Sequence, residues 1–426
     1  MALSVKNKAI QAIGAAALFA GLVAMPSLSQ AQEETFSLTT TLPIPGLTSF
    51  DISYVSPTWG GAGHGFYFLA DRSNKQIDTY DIVGQILGAN KAGGYVGAVG
   101  TPVNNNISGP NGVAIVNNAA SGAGFEIWVG DGPQVNAGCP TSFPLNGSCS
   151  AVKVMQKTKG GALTHVIPTN GIARADELCV DPVDDVVLMA NDAESAQSKL
   201  GTPFISFISL KTYTVVAQMT FPAASNGIEQ CQYDSKAGAF FLNLPEVNGP
   251  GNDTADGAVV VISPPTTANS NTPSIAAVYT IPTVLCAGPQ GMAVGPDPQL
   301  LLGCNAAGPN GVQNSLVINK YTGAVINIGW GIGGADEAWF NPADSHYFVT
   351  GSSLPTPSLA VVDAFSSVDQ IIATPKIAGA SPHSVAADSN TNTLFIPTAG
   401  GVNVFTPSAE DSDDPNVLAS YTGVNQ

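Results

Sequence analysis

The sequence predicts an all-β protein built as a single β-propeller, with seven blades of about four antiparallel strands around a polar central channel. Two observations predict this directly. From residue 33 onward almost nothing has helical periodicity, and short runs of Val, Ile, Phe, Tyr and Thr alternate with Gly, Pro, Asn and Asp clusters. One plan also recurs seven times: a polar residue, a short apolar strand, an Asp/Asn/Pro turn, then a bulky second strand. The repeats start FDISYVSP (Phe50), PNGVAIVN (Pro110), DELCVDPVDD (Asp176), IEQCQYDSKAG (Ile228), PQGMAVGPDP (Pro289), DEAWFNPADS (Asp336) and PHSVAADSNTN (Pro382). Their spacing of 46 to 66 residues fits one propeller blade each.

In chain order, the first segment reads as a secretory signal. Lys6 and Lys8 precede the apolar stretch Ala9 to Met25, and Ser29-Gln30-Ala31 offers a small-x-small cleavage site. Residues 1–31 are thus expected to be a signal peptide, with the propeller domain at 32–426 and a secreted or periplasmic destination. The stretch is short against the roughly 20 apolar residues of a membrane span, and no other segment is long and apolar enough to cross a bilayer. The next segment, TFSLTTTLPIP (Thr35 to Pro45), resembles an outermost strand, as does Asn416 to Thr422 at the other end. Pairing of N- and C-terminal strands in one blade is expected to close the ring without leaving a long open edge. Two loops stand out by length, Gln134 to Ser150 and Glu246 to Ser274. The acidic AEDSDDPN at 409–416 lacks the spacing of a calcium-binding loop and reads as a solvated turn.

Six cysteines in an exported chain point to disulfides. Cys139 and Cys149 bracket a short loop and are the best candidate pair. Cys179 and Cys231 hold matching places in successive repeats, and Cys286 and Cys304 flank a strand pair; the sequence leaves their connectivity open.

Without Lys6 and Lys8 the chain keeps 12 basic residues against 31 acidic ones, a net charge near −19. Nucleic acid and anionic membrane surfaces are therefore excluded as partners, because phosphate contacts need clustered Lys and Arg. The expected partner is a small-molecule or extracellular ligand, bound by a monomer. No GxSxG elbow, P-loop, HExxH or dinucleotide fingerprint is present, which removes the common hydrolase and nucleotide-dependent classes.

Aligning the repeats brings their first polar residues into equivalent places where each innermost strand begins: Asp51, Asn111, Glu177, Glu229, Gln290, Glu337 and His383. In a propeller the innermost strands line the channel, so these side chains are expected to converge on one mouth. Four carboxylates in a narrow channel repel unless protons or a cation neutralise them. Their oxygens suit Ca2+ first, or Mg2+, while the histidine admits Mn2+ or Zn2+. An ion there would be structural or would polarise a carbonyl, with Glu229 or His383 as general base. The bland reading of each residue is hydrogen bonding to channel water and backbone. His64, His165 and His346 fall outside the aligned place and read as surface or packing residues. Asp71, Arg72, Asp131, Asn191, Asp192, Asn243 and Asn305 follow the second strands and read as turn formers, or for a channel-facing minority as supports behind the mouth residues, while Trp128 and Trp339 read as blade core.

The runs PNGVAIV, DELCVDP and PQGMAVGPD resemble the innermost-strand repeats of the SMP-30/gluconolactonase group and of NHL-like and YncE-like propellers. That resemblance implies a divalent cation held in the channel by Glu, Asn and Asp. Asn111 matches the Asn of the group's N-G motif, and Glu177 falls where its D-G-x-C-x-D segment places an Asp. With seven repeats rather than six, the arrangement is closer to the YncE-like propellers, and virginiamycin B lyase is similar in architecture. The expected activity is that of a metal-dependent hydrolase, lactonase- or esterase-like, or a lyase. The alternative is a non-catalytic propeller that recognises a protein, glycan or small ligand through its loops.

Overall fold

The computed structural model describes residues 35–142, 145–195, 200–308, 311, 314–331, 334, 336–351, 358–365, 369–373 and 382–407. The signal segment, the acidic 409–416 loop and the strand expected at 416–422 lie outside the described residues. Among those described, 28 strands and three single-turn helices occur. The strands form seven four-stranded antiparallel sheets, so the chain is a seven-bladed β-propeller. No helix among the described residues is long and apolar enough to cross a membrane.

Blades 1 to 6 occupy residues 50–90, 113–168, 178–220, 231–281, 287–330 and 338–373, each running from the channel outward in chain order. Blade 7 takes its three inner strands from 386–407 and its outermost strand, Phe36–Pro43, from the other end of the described chain. The closing ladder pairs Phe36 with Pro407 and Pro43 with Gly401. Each innermost strand touches the innermost strands of both neighbouring blades, all the way round.

Strand alternation explains how flat blades make one solid ring. In blade 3, Leu188 and Ala190 turn toward Phe240, Leu242 and Val260 of blade 4. Val187 and Met189, the residues between and before them, turn toward Trp128, Val152 and Val154 of blade 2. A side-chain period of two thus feeds two interfaces from one strand. Three disulfides add covalent ties: Cys139–Cys149 within the long blade 2 loop, Cys179–Cys231 between the innermost strands of blades 3 and 4, and Cys286–Cys304 inside blade 5. Cys179–Cys231 joins matching repeat positions, and Cys286–Cys304 joins the two residues that flank one strand pair.

Candidate functional site

The innermost strands begin with a polar segment because the backbone there comes close to the next blade. Gly112, which follows Asn111, donates its N–H to the Asp176 carbonyl at 3.0 Å. A Cβ on Gly112 would sit 2.1 Å from that same oxygen, so the Asn-Gly pair is a requirement of close blade packing. The neighbouring ladder continues past the strand proper, with Asp176 donating to the Ala190 carbonyl and Ala190 to that of Glu177, both at 2.8 Å. The side chains of these lead-in segments therefore have fixed positions.

They surround a polar cavity of about 690 Å3 at the end where the innermost strands begin. Asp51, Arg72, Arg174, Glu229, Asp336 and His383 are among its walls. One ligand atom each from Asp51, Asp336 and His383 lies within 4.8 Å of the other two. His383 stacks on Phe50 with ring centroids 4.8 Å apart and planes 5° from parallel, which holds its Nε2 3.8 Å from Asp51 Oδ1. The second Asp51 oxygen, Oδ2, is ion-paired to the Arg72 guanidinium. Arg72 also donates through Nε to Asn111 Oδ1 at 3.0 Å and through Nη1 to the Phe50 carbonyl at 3.3 Å. Across the cavity Arg174 Nη2 bridges Asp176 at 2.5 Å and Asp192 at 2.9 Å.

Charge decides the character of this mouth. Burial works to raise the Asp51 carboxyl, but the charge of Arg72, a hydrogen bond to His383 and the charge of Arg174 together outweigh it and hold the group well below the ordinary carboxylate range. Asp51 therefore stays ionised. Burial pushes Asp336 up, with His383 opposing the rise and Asp51 adding to it. Glu229 is pushed well up by burial and then by the charges of Asp336, Asp192 and Asp176. Burial raises Asp176 too, against the pull of Arg174. The mouth holds more carboxyl groups than its two guanidinium groups can neutralise, so it has room for a proton or a cation.

Of the seven aligned residues, Asp51, Glu229, Gln290 and His383 line the mouth, and Gln290 donates to Glu229 at 3.4 Å. The other three do not line it. Asn111 is fully buried and committed to Arg72 and to the carbonyls of Ser108 and Ala175. Glu337 accepts from the Ser384 hydroxyl and, at 3.4 Å, from the Ser53 N–H. Glu177 is buried, and burial followed by the charge of Glu337 keeps its carboxyl well above the usual range.

Sequence reasoning passed over Asp176, Asp336 and Arg174 as site residues, and offered Arg72 and Asp192 only as turn formers or supports. Asp336 precedes an aligned glutamate, as Asp176 does, and in both Asp-Glu pairs the aspartate reaches the mouth's charge network. Arg72 and Asp192 make buried ion pairs rather than turn contacts. A plain signal existed: Arg72 and Arg174 are the only two arginines in the whole sequence. Of the remaining second-strand residues, Asp71 does serve its turn, accepting from Asn74, whereas Asp131 pairs with Lys153 at 2.7 Å. His64 pairs with Asp81 at 2.7 Å and His165 stacks on Tyr213, both away from the mouth.

No protein-family model and no curated protein matches the sequence. Many solved structures share its shape. One, described as "Crystal Structure of Mitotic Checkpoint Complex", contains a chain that superposes with a TM-score of 0.57 at 12% identity, covering 94% of this chain and 99% of its own length. At that identity the likeness shows the fold alone.

Proposed function

We propose that this is an exported propeller whose channel mouth binds a divalent cation through Asp51, Asp336 and His383 and uses it to hold a small polar ligand. The observation that carries the reading is the convergence of those three ligand atoms within 4.8 Å on the wall of a 690 Å3 polar cavity. Two carboxylates and one imidazole suit Mn2+ or Zn2+, and Ca2+ with added water and the amide oxygen of Gln290. Arg72 supports the ligand role of Asp51, because it occupies Oδ2, keeps the group ionised and leaves Oδ1 toward His383. The three disulfides are consistent with export into an oxidising compartment.

An ion at this position would polarise an ester or lactone carbonyl, and Glu229, a carboxyl that burial raises well above its ordinary range, would be the base that activates water. His383 then acts as ligand rather than as base. A non-catalytic reading has its own support: Asn105, Asn106, Asn226 and Asn305 also line the cavity, and amides recognise hydroxyl-rich ligands without chemistry. One experiment separates the two. Purified protein is assayed for bound metal, then incubated with a lactone and ester panel alongside the Glu229→Gln variant. Turnover that Glu229→Gln abolishes while metal content persists supports hydrolysis. Stoichiometric metal with no turnover leaves a binding module, and absence of metal under every loading condition removes the cation reading.

A further inference from the structure

We propose that the outer groove between blades 1 and 2 is a second binding site, separate from the mouth, that takes an acidic saccharide: a sugar ring bearing a carboxylate or sulfate. The groove has a volume of about 510 Å3 and is walled by Trp59, Phe66 and Phe68 together with Lys91 and Lys157. Its aromatic wall is rigid, since Trp59 packs edge-on to Phe68 at 5.2 Å and against Phe125 at 5.9 Å. The Lys157 ammonium lies 5.1 Å from the Trp59 ring centre and 5.4 Å from that of Phe125, so two ring faces hold the charge in place.

Charge complementarity selects the ligand. The protein has 31 acidic residues against 14 basic ones. Lys153, Lys211, Lys236 and Lys320 are each paired with a carboxylate. Lys91 and Lys157, by contrast, form no salt bridge among the described residues, and Lys159 beside them forms none either. Lys75, against Gly97, also has no salt bridge among the described residues, but Lys91 and Lys157 stand together on one aromatic groove, which makes it a basic spot suited to an anion.

The remaining walls favour a sugar over an aromatic acid or a peptide. Thr79 and Asn90 also line the groove, the Asn90 amide being held by the Gly161 carbonyl and the Ala92 N–H at 2.9 Å each. Gly160, at φ +67, has open space where a Cβ would stand, so a ligand ring can approach the backbone closely. A pyranose offers what this wall needs: C–H groups for the rings, a hydroxyl for Thr79, and an anionic group for the lysines.

Isothermal titration with galacturonic acid, glucuronic acid and a sulfated galactose tests the site, with neutral galactose and poly-glutamate as controls. The expected result is saturable binding of the acidic sugars that weakens at high salt, and no binding of neutral galactose. Lys157→Ala and Lys91→Ala should each weaken binding by about tenfold, Lys157→Arg should retain it, and Asp336→Asn at the mouth should leave it unchanged. The proposal is overturned if no acidic sugar binds, if the Lys91→Ala/Lys157→Ala double variant binds as the parent does, or if poly-glutamate binds as well as the sugars. Loss of sugar binding in Asp336→Asn would also overturn it, by placing the ligand at the mouth. Matching thermal unfolding curves for the lysine variants and the parent confirm that they fold.

Discussion

Where the innermost strands begin, the channel presents Asp51, Arg72, Arg174, Asp336 and His383; a few residues further along the same strands it presents Tyr54, Val180, Trp339 and Pro342. Tyr54 lies three positions past Asp51, and Trp339 two past Glu337. The two rings meet edge-to-face 5.3 Å apart. One end is a network of buried charges that repel more than they attract, and the other is an aromatic seam with little to ionise. The difference shows how a propeller divides labour along a single short strand. Packing specificity comes from the far half, so the near half can carry unfavourable charge without unfolding the ring.

The sharpest way to break this comparison is to damage each end in turn. Arg72→Met leaves the buried Asp51 carboxylate without its counter-ion and should cost about 3–5 kcal/mol. Trp339→Ala empties the aromatic seam and should cost a similar ~3–5 kcal/mol. Urea unfolding measures both. The two variants should differ in their cation response: divalent ions should still raise the melting temperature of Trp339→Ala and should lose most of that effect in Arg72→Met.

A smaller effect follows from pH. Glu177, Glu229, Glu337, Asp176 and Asp336 are all raised above their ordinary values, in each case by burial first. Groups of this kind contribute stability that is fully present below their unfolded pKa of about 4 and is lost as pH rises through the folded value. The metal-free protein should therefore melt at progressively lower temperature from mildly acidic toward alkaline pH. A cation that replaces the lost protons should raise the melting temperature more at each higher pH. Differential scanning calorimetry with and without Mn2+ checks both trends; a cation increment that does not change with pH would contradict the charge account of the mouth.

The smallest effect concerns the carboxyl pair Asp71 and Asp78. Asp78, in blade 1, is pushed up to about 8 by burial and then by the charge of Asp71. Its contribution is present below about pH 4 and is lost as pH rises to about 8. Asp78→Asn keeps the acceptor for the Gln76 amide and places an N–H toward Asp71. The variant should be more stable than the parent above pH 8 by roughly 1–3 kcal/mol, and the gap should close at mildly acidic pH.

Much of this was legible in the sequence because propeller geometry repeats. The seven-bladed ring followed from spacing alone, and the N-terminal strand was found in blade 7, paired from Phe36 to Pro43. Aligned positions also identified Asp51, Glu229, Gln290 and His383 as mouth residues. Alignment failed where local backbone direction decides: in the Asp176-Glu177 and Asp336-Glu337 pairs, adjacent side chains diverge, and the aligned member was the one that turned away. Arg174 was hidden, and the role of Arg72 left open, for another reason. Neither sits at the aligned position, and only three-dimensional contact shows that both serve buried aspartates.

The central claim, a divalent cation on Asp51, Asp336 and His383, is tested most directly by titrating metal-stripped protein with Mn2+ and counting free ion by electron paramagnetic resonance. The account predicts one saturable site per chain, lost in Asp336→Asn and in His383→Ala, and retained in Trp339→Ala. Free Mn2+ that tracks the buffer blank in the parent protein, or a site that survives both mouth substitutions, would contradict it.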